Sequence, residues 1–177
     1  MLKTIIATIA LAAASTSALA SDVTAEVRWG DRANQIKVEA GTQVYRVRLV
    51  GEVETAQNYN NGAINNIVSG SVVLPLELEG YTVQPFVQLG QKYTSNANDT
   101  TLAGVGVKVS RPIHGSFTGE LSYRRRESLS GLDLSEDRFG ATVNYAVNEK
   151  IAVGFAAYNY SGTESDHRYG VYYKYNF

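Results

Sequence analysis

The sequence predicts an all-β protein: a closed antiparallel transmembrane β-barrel of ten strands. Three observations carry that prediction. Apolar and polar residues alternate with period two through nearly all of the chain after residue 20. The polar face holds charge in mid-strand, and aromatic residues collect toward strand ends. A soluble β-sandwich or a lipocalin-like barrel has the same period with the apolar face turned inward. The mid-strand charges and the aromatic ends favour the membrane form, in which closure satisfies every backbone group.

The first residues read as a separate element. "MLKTIIATIALAAASTSALA" carries Lys3, an apolar run from Ile5 to Ala14, then small residues ending Ala18-Leu19-Ala20. That run is too short to span a bilayer as a helix and its end fits a cleavage site, so residues 1–20 are expected to be a signal peptide and 21–177 the barrel domain. Loss of Lys3 from the 16 Lys and Arg leaves 15 against 17 Asp and Glu, a net charge of −2.

The strands follow in order. Val23, Ala25, Val27 and Trp29 share one face, opposite Thr24, Glu26 and Arg28. Ile36, Val38 and Ala40 oppose Lys37 and Glu39, and "AGT" is expected to turn the chain. Tyr45, Val47, Leu49, Gly51 and Val53 oppose Arg46, Arg48, Glu52 and Glu54. Val68, Gly70, Val72, Leu74, Leu76 and Leu78 oppose Ser69, Ser71, Glu77 and Glu79. Tyr81, Val83, Val87 and Leu89 oppose Thr82, Gln84 and Gln88; Ala103, Val105, Val107 and Val109 oppose Lys108 and Ser110. Phe117, Leu121 and Tyr123 oppose Glu120, Arg124 and Arg126; Phe139, Ala141, Val143 and Tyr145 oppose Arg138, Thr142 and Asn144. Ile151, Val153, Phe155 and Ala157 form the ninth apolar face, and Tyr169, Val171, Tyr173, Tyr175 and Phe177 the tenth.

"NYNNG", "SNANDT", "SLSGLDLSED" and "SGTESDH" read as longer polar loops, against tight turns near Glu79-Gly80, 111–115 and 148–150. A spanning strand needs about 9–11 residues. The first two strands fall short of this by their pattern, so eight strands from about Gly41 is one alternative count.

Composition narrows the function. There is no Cys, so disulfides and thiolate metal sites are excluded, and a near-neutral charge gives no support for nucleic-acid binding. No cofactor or metal site is expected. Asp133, Glu136 and Asp137 lack the spacing of a calcium loop. His167 adjoins Asp166 near Ser161 and Ser165, but neighbours on a strand face opposite ways, so no Ser–His–Asp arrangement and no enzyme is expected.

The final strand, with Phe177, Tyr175, Tyr173 and Val171 at alternate positions, resembles the C-terminal signature of Gram-negative outer-membrane barrels. That resemblance places the protein in the outer membrane, in contact with its lipids, and implies that the barrel-assembly machinery recognises the strand ending in Phe177. "AEVRWGDRANQIKVEAGTQ", "LSYRRRES" and "RYGVYYKYNF" resemble the oligogalacturonate-specific porins of the KdgM-like family. Those barrels have twelve strands, two more than are counted here, which makes twelve the other alternative count, and lumen arginines that guide acidic oligosaccharides.

The strand pattern turns eleven cations and seven anions inward. Arg46, Arg48, Lys108, Arg124, Arg126, Arg138 and Arg168 are the candidate binding residues, with Arg46/Arg48 and Arg124/Arg126 as i, i+2 pairs on one face. A guanidinium stays charged at any working pH and grips carboxylates with two parallel bonds. A ladder of them would pass small anionic solutes, or acidic oligosaccharides by the resemblance. The same residues could instead neutralise facing glutamates and close the bore. Deleting Phe177 should reduce the yield of heat-modifiable folded barrel far more than it alters any pore. An unchanged yield in outer-membrane fractions would count against the terminal-strand reading.

Overall fold

The computed structural model describes residues 20–95, 99–163 and 165–177. The expected signal peptide lies outside these residues except for Ala20. The described chain is all β: β1 (Asp22–Gly30), β2 (Ala33–Val44), β3 (Val47–Asn58), β4 (Ile64–Val73), a short β5 (Leu76–Leu78), β6 (Tyr81–Thr94), β7 (Thr100–His114), β8 (Phe117–Ser130), β9 (Ser135–Ala146), β10 (Ile151–Gly162) and β11 (Asp166–Asn176). Every neighbouring pair is antiparallel, and β1 pairs with β11 while β4 pairs with β6, so the sheet closes on itself.

β5 is no eleventh wall strand. β4 and β5 run against β6 in one unbroken register, from Asn65↔Thr94 through Val73↔Phe86 to Leu76↔Val83. Pro75 has no N–H to donate, so the ladder skips there and resumes. The barrel therefore has ten strands. Following hydrogen-bonded neighbours once around it, from Thr82 through Ser110, Glu120, Thr142, Ala156, Gly170, Arg28, Gln35, Ala56 and Asn65, returns to β6 at Thr94, twelve residues along. Ten strands with that stagger tilt by about 40° and enclose a backbone cylinder roughly 10 Å in radius. Large side chains from opposite walls of such a cylinder meet in the middle.

The two faces are inverted relative to a soluble protein. Leu121 is 67% exposed, Leu89 63% and Phe139 58%, all on the outside, whereas Arg28 is 0% and Arg124 1% exposed. An apolar outer belt around a charged interior has its favourable solvent in lipid. Rings flank the belt at both ends: Tyr145 against Phe117 and Tyr175 against Phe177 at the end holding both termini, Tyr123 against Phe139 toward the other. This is an outer-membrane barrel, with its short turns and termini on the periplasmic side.

Several expectations need correction. β2 runs through "AGT" to Val44, and the turn is Tyr45-Arg46, with Tyr45 at φ 54°. The first two strands thus reach 9 and 12 residues and join the wall. Glu79 and Gly80 both have positive φ, the geometry of a tight two-residue hairpin turn, so Glu79 is a turn residue, and Glu77 is exposed beside Thr82 beyond the rim. Most of "SLSGLDLSED" and "SGTESDH" is paired in strands, so the outer loops are shorter than their polarity suggests.

Three inward rings lie over glycines on the neighbouring strand. Phe86 covers Gly106, Tyr158 covers Gly140 and Tyr172 covers Gly154, and a methyl group at any of these glycines would strike the ring. The missing side chain is what lets the ring lie flat across the ladder. Gly154→Val should therefore destabilise the folded barrel by about 1–3 kcal/mol, read as a lower urea midpoint. The loss should shrink in a Tyr172→Ala background. Equal losses in both backgrounds would reject the pairing.

Candidate functional site: the charged lumen

The lumen is built by strand alternation, which aims every second residue inward. β3 contributes Glu52 and Glu54, β8 Arg124 and Arg126, and β9 Glu136 and Arg138. β3 and β8 are not neighbours in the wall. Yet Arg126 Nη2 donates to Glu52 Oε1 at 2.7 Å and to Glu54 Oε1 at 3.1 Å, and Arg124 Nη1 to the same oxygens at 3.4 and 3.1 Å. These pairs cross the bore. Glu136 closes the cluster at 2.9 Å from Arg124 Nη2, and Gln88 on β6 accepts from Arg126 Nε at 2.7 Å.

The contacts continue to both ends. Toward the extracellular side, Gln35 donates to Glu54 at 2.6 Å and accepts from Arg28 and Arg168. Arg28 also holds Glu26 and the Tyr160 hydroxyl, and stacks 4.2 Å from the centre of the Tyr158 ring. Arg168 donates to Asp166 at 2.6 Å, and Asp166 caps the backbone N–H groups of Asp31 and Arg32 in the β1–β2 turn. Toward the periplasm, Lys37 joins Glu52 to Glu39, and Glu39 lies 3.8 and 3.9 Å from Arg48 and Lys108. Arg48 reaches Asp22 at 2.7 Å, and Lys174 lies 3.9 Å from the same carboxylate.

Below the cross-bore cluster the lumen opens into a polar vestibule of about 350 Å³. Ser116 and Asn176 stand at its periplasmic rim, with Lys108, Ser122, Arg138 and Tyr172 among its deeper walls. Only a gap of about 30 Å³ lies beside Arg124, Gln88 and Glu52, so the cluster stops the bore at that level.

Six of the seven candidate residues line the lumen: Arg48, Lys108, Arg124, Arg126, Arg138 and Arg168. Arg46 does not. It sits exposed in the turn after β2, so the expected Arg46/Arg48 pair does not exist on one strand face. Asp22, Glu136 and Asp166 were missed as inward anions. Continuing the alternation back by two from Arg138 and Arg168 would have found Glu136 and Asp166. With Glu77 and Glu79 outside and Arg46 in a turn, ten cations face eight anions inside the barrel among the described residues. His167 lies on the outward face of β11 while Asp166 is buried against Arg168, so these two are not brought together. No group of three metal-ligating side chains occurs among the described residues.

Comparison with known proteins gives the fold a context. No family model matches the chain, and no curated protein does. Among solved structures, a KdgM porin matches at a TM-score of 0.57 with 12% identity, over 88% of this chain and 99% of that one. A NanC porin matches at 0.56 with 14% identity, over 88% and 99%. The translocator domain of the autotransporter NalP from Neisseria meningitidis matches at 0.51 with 9% identity, over 99% and 98%. The chain thus shares, with ten strands, the closed antiparallel barrel fold of KdgM-like outer-membrane porins, a fold that other outer-membrane barrels share.

Removing one member of the cross-bore cluster leaves its partners buried and short of counter-charge, at a cost of up to about 3–5 kcal/mol. Arg126→Met should lower the unfolding midpoint correspondingly. Adding Glu52→Gln to Arg126→Met should recover part of the loss, and an additive double mutant would refute the pairing.

Proposed function

We propose that this protein is a narrow outer-membrane channel for small anionic solutes. The observation that carries the reading is the lumen charge: ten inward cations against eight anions, six of the cations arginines, in a barrel whose outer face suits lipid. Arginine keeps its charge and its two-pronged geometry regardless of pH, so the bore is biased toward anions under all working conditions. The architecture shared with KdgM and NanC porins supports conduction. One KdgM structure is described as a complex with disordered oligogalacturonate, which supports acidic sugars as one class of solute. The cross-bore cluster limits passage here to solutes that can displace Arg124 and Arg126 from Glu52 and Glu54.

One observation favours a second reading. Arg28, Arg124 and Arg126 are almost entirely buried, and the ion pairs of Arg124 and Arg126 span the bore. A barrel held in that state is a closed structural or surface-interaction protein.

Planar-bilayer recording separates the two. The channel reading expects small unitary conductance with anion preference in a salt gradient. Arg124→Ala with Arg126→Ala should widen the bore and, by freeing three carboxylates, turn the preference toward cations. Glu52→Gln with Glu54→Gln should raise anion preference. A silent wild type whose double-arginine variant conducts would establish the closed barrel.

A further inference from the structure

The lumen network leaves one buried cation without a counterion. Arg138 is 4% exposed, and its Nε and Nη1 atoms have no hydrogen-bond partner. No described carboxylate lies within 4.0 Å of its guanidinium. Its nearest candidates are committed elsewhere. Glu136, two residues back on β9, turns to Arg124 at 2.9 Å and Arg126 at 3.9 Å. Glu52 and Glu54 also serve these two arginines. Arg124 stands directly opposite Arg138 in the β8–β9 ladder, a like charge on the neighbouring strand. The remaining neighbour is a ring: Tyr158, with Arg138 5.2 Å from its centre, already shared with Arg28.

A buried guanidinium with unmade N–H bonds and a like charge beside it is expensive, by several kcal/mol. Proteins relieve such a charge by pairing it. Protein groups do not do so here, and the space beside Arg138 is the periplasmic vestibule. Five cations line that chamber (Lys37, Arg48, Lys108, Arg138 and Lys174) against three carboxylates, Glu26, Glu39 and Glu120. Glu26 is taken by Arg28, and Glu39 is shared among Lys37, Arg48 and Lys108. Asp22 also serves Arg48 and Lys174, and Glu52 also serves Lys37, so that Arg138 is the one of the five with no carboxylate in reach among the described residues. Glu120 pairs with Thr142 in the ladder, four residues from Arg138 along β9 and so about 10 Å nearer the mouth along the barrel axis. The deep end therefore carries the positive excess. Ser122 adds a hydroxyl beside Gly140, over which the Tyr158 ring lies.

We propose that Arg138 forms the floor of a dead-end binding site for a small monovalent anion, entered from the periplasmic face. The anion sits against the guanidinium at the deep end of the vestibule, with the Tyr158 ring behind it and Ser122 beside it; Nε and Nη1, buried in this structure, reach the anion through a small shift of the Arg138 side chain. A halide or the carboxylate of a small organic acid has the charge and size. This goes beyond conduction, since the site is occupied from one side and needs no opening of the Arg124–Glu54 cluster.

The test uses the whole barrel folded in lipid vesicles. The chain has no Cys, so Ser122→Cys supplies a unique thiol at the site. Its rate of modification is measured with an anionic sulfonatoethyl and a cationic trimethylammonioethyl methanethiosulfonate, each relative to a free thiol. The anionic reagent should be favoured by about tenfold. Sodium acetate or sodium bromide, exchanged against a bulky sulfonate salt at constant ionic strength, should slow it saturably. Protection by both salts defines a general monovalent-anion site, and protection by acetate alone a carboxylate site. Arg138→Gln should abolish the preference and the protection. Arg138→Lys, which keeps the charge but not the fork, should keep the preference and weaken the protection. A reagent ratio near one, no protection by either salt, or a ratio unchanged in the folded glutamine variant would overturn the site. Protection in a barrel that passes no current retains this site and removes only the channel; current without protection does the reverse.

Discussion

A cylinder of about 10 Å radius cannot hydrate ten cations and eight anions separately, so the deeply buried charges are held largely by partners across or along the bore. That constraint organises the molecule. Arg124 and Arg126 reach from β8 to Glu52 and Glu54 on β3, and their neighbours extend the contacts from Asp166 at the extracellular rim to Asp22 and Lys174 at the periplasmic one. The outer face has no equivalent network. Its apolar side chains need only lipid, which accepts Leu, Val and Phe in any arrangement. Specificity of the fold therefore resides inside, in ion pairs and in rings laid over glycines, while the outside supplies the driving force for insertion.

The wall was largely legible from the chain because a strand has a strict period of two. Val105, Val107 and Val109 against Lys108, or Phe139 and Val143 against Arg138, cannot be read in another register without inverting both faces. Legibility failed where the period was interrupted or disguised. Pro75 breaks a hydrogen-bond ladder without shifting its register, so Glu77 looks like lumen when it is already past the rim. Polar strand ends such as Ser135-Glu136 look like loop, because inward polar residues and loop residues are chemically alike. "AGT" looks like a turn, yet Gly41 lies in β2 because the Arg48 guanidinium occupies the place of its side chain.

The functional residues were legible as types and not as partnerships. Alternation alone put Arg124, Arg126, Arg138 and Arg168 inside. It could not say that the first two would meet glutamates from a strand four places away, because that depends on the strand stagger, and the stagger is a property of the closed ring. Nor could a count of charges reveal that the deficit of anions falls on one arginine. Two surplus positive charges spread over ten groups mean little; a guanidinium at the wall of a chamber, with two buried N–H groups unpartnered, is a specific chemical demand.

The seam between β1 and β11 joins residues 22–30 to 168–176, the two ends of the described barrel. Arg28 on one side of it uses Gln35 and Tyr160, and Asp166 from the other side clasps the backbone of Asp31 and Arg32. Closing the ring and drying its interior are consequently a single event in assembly. Until the last strand docks, Arg28 and Asp166 remain wet, and a half-zipped barrel keeps water where the finished one holds salt bridges. The final step has the character of a latch: the polar interior resists it until the partners meet, and then opposes its reversal.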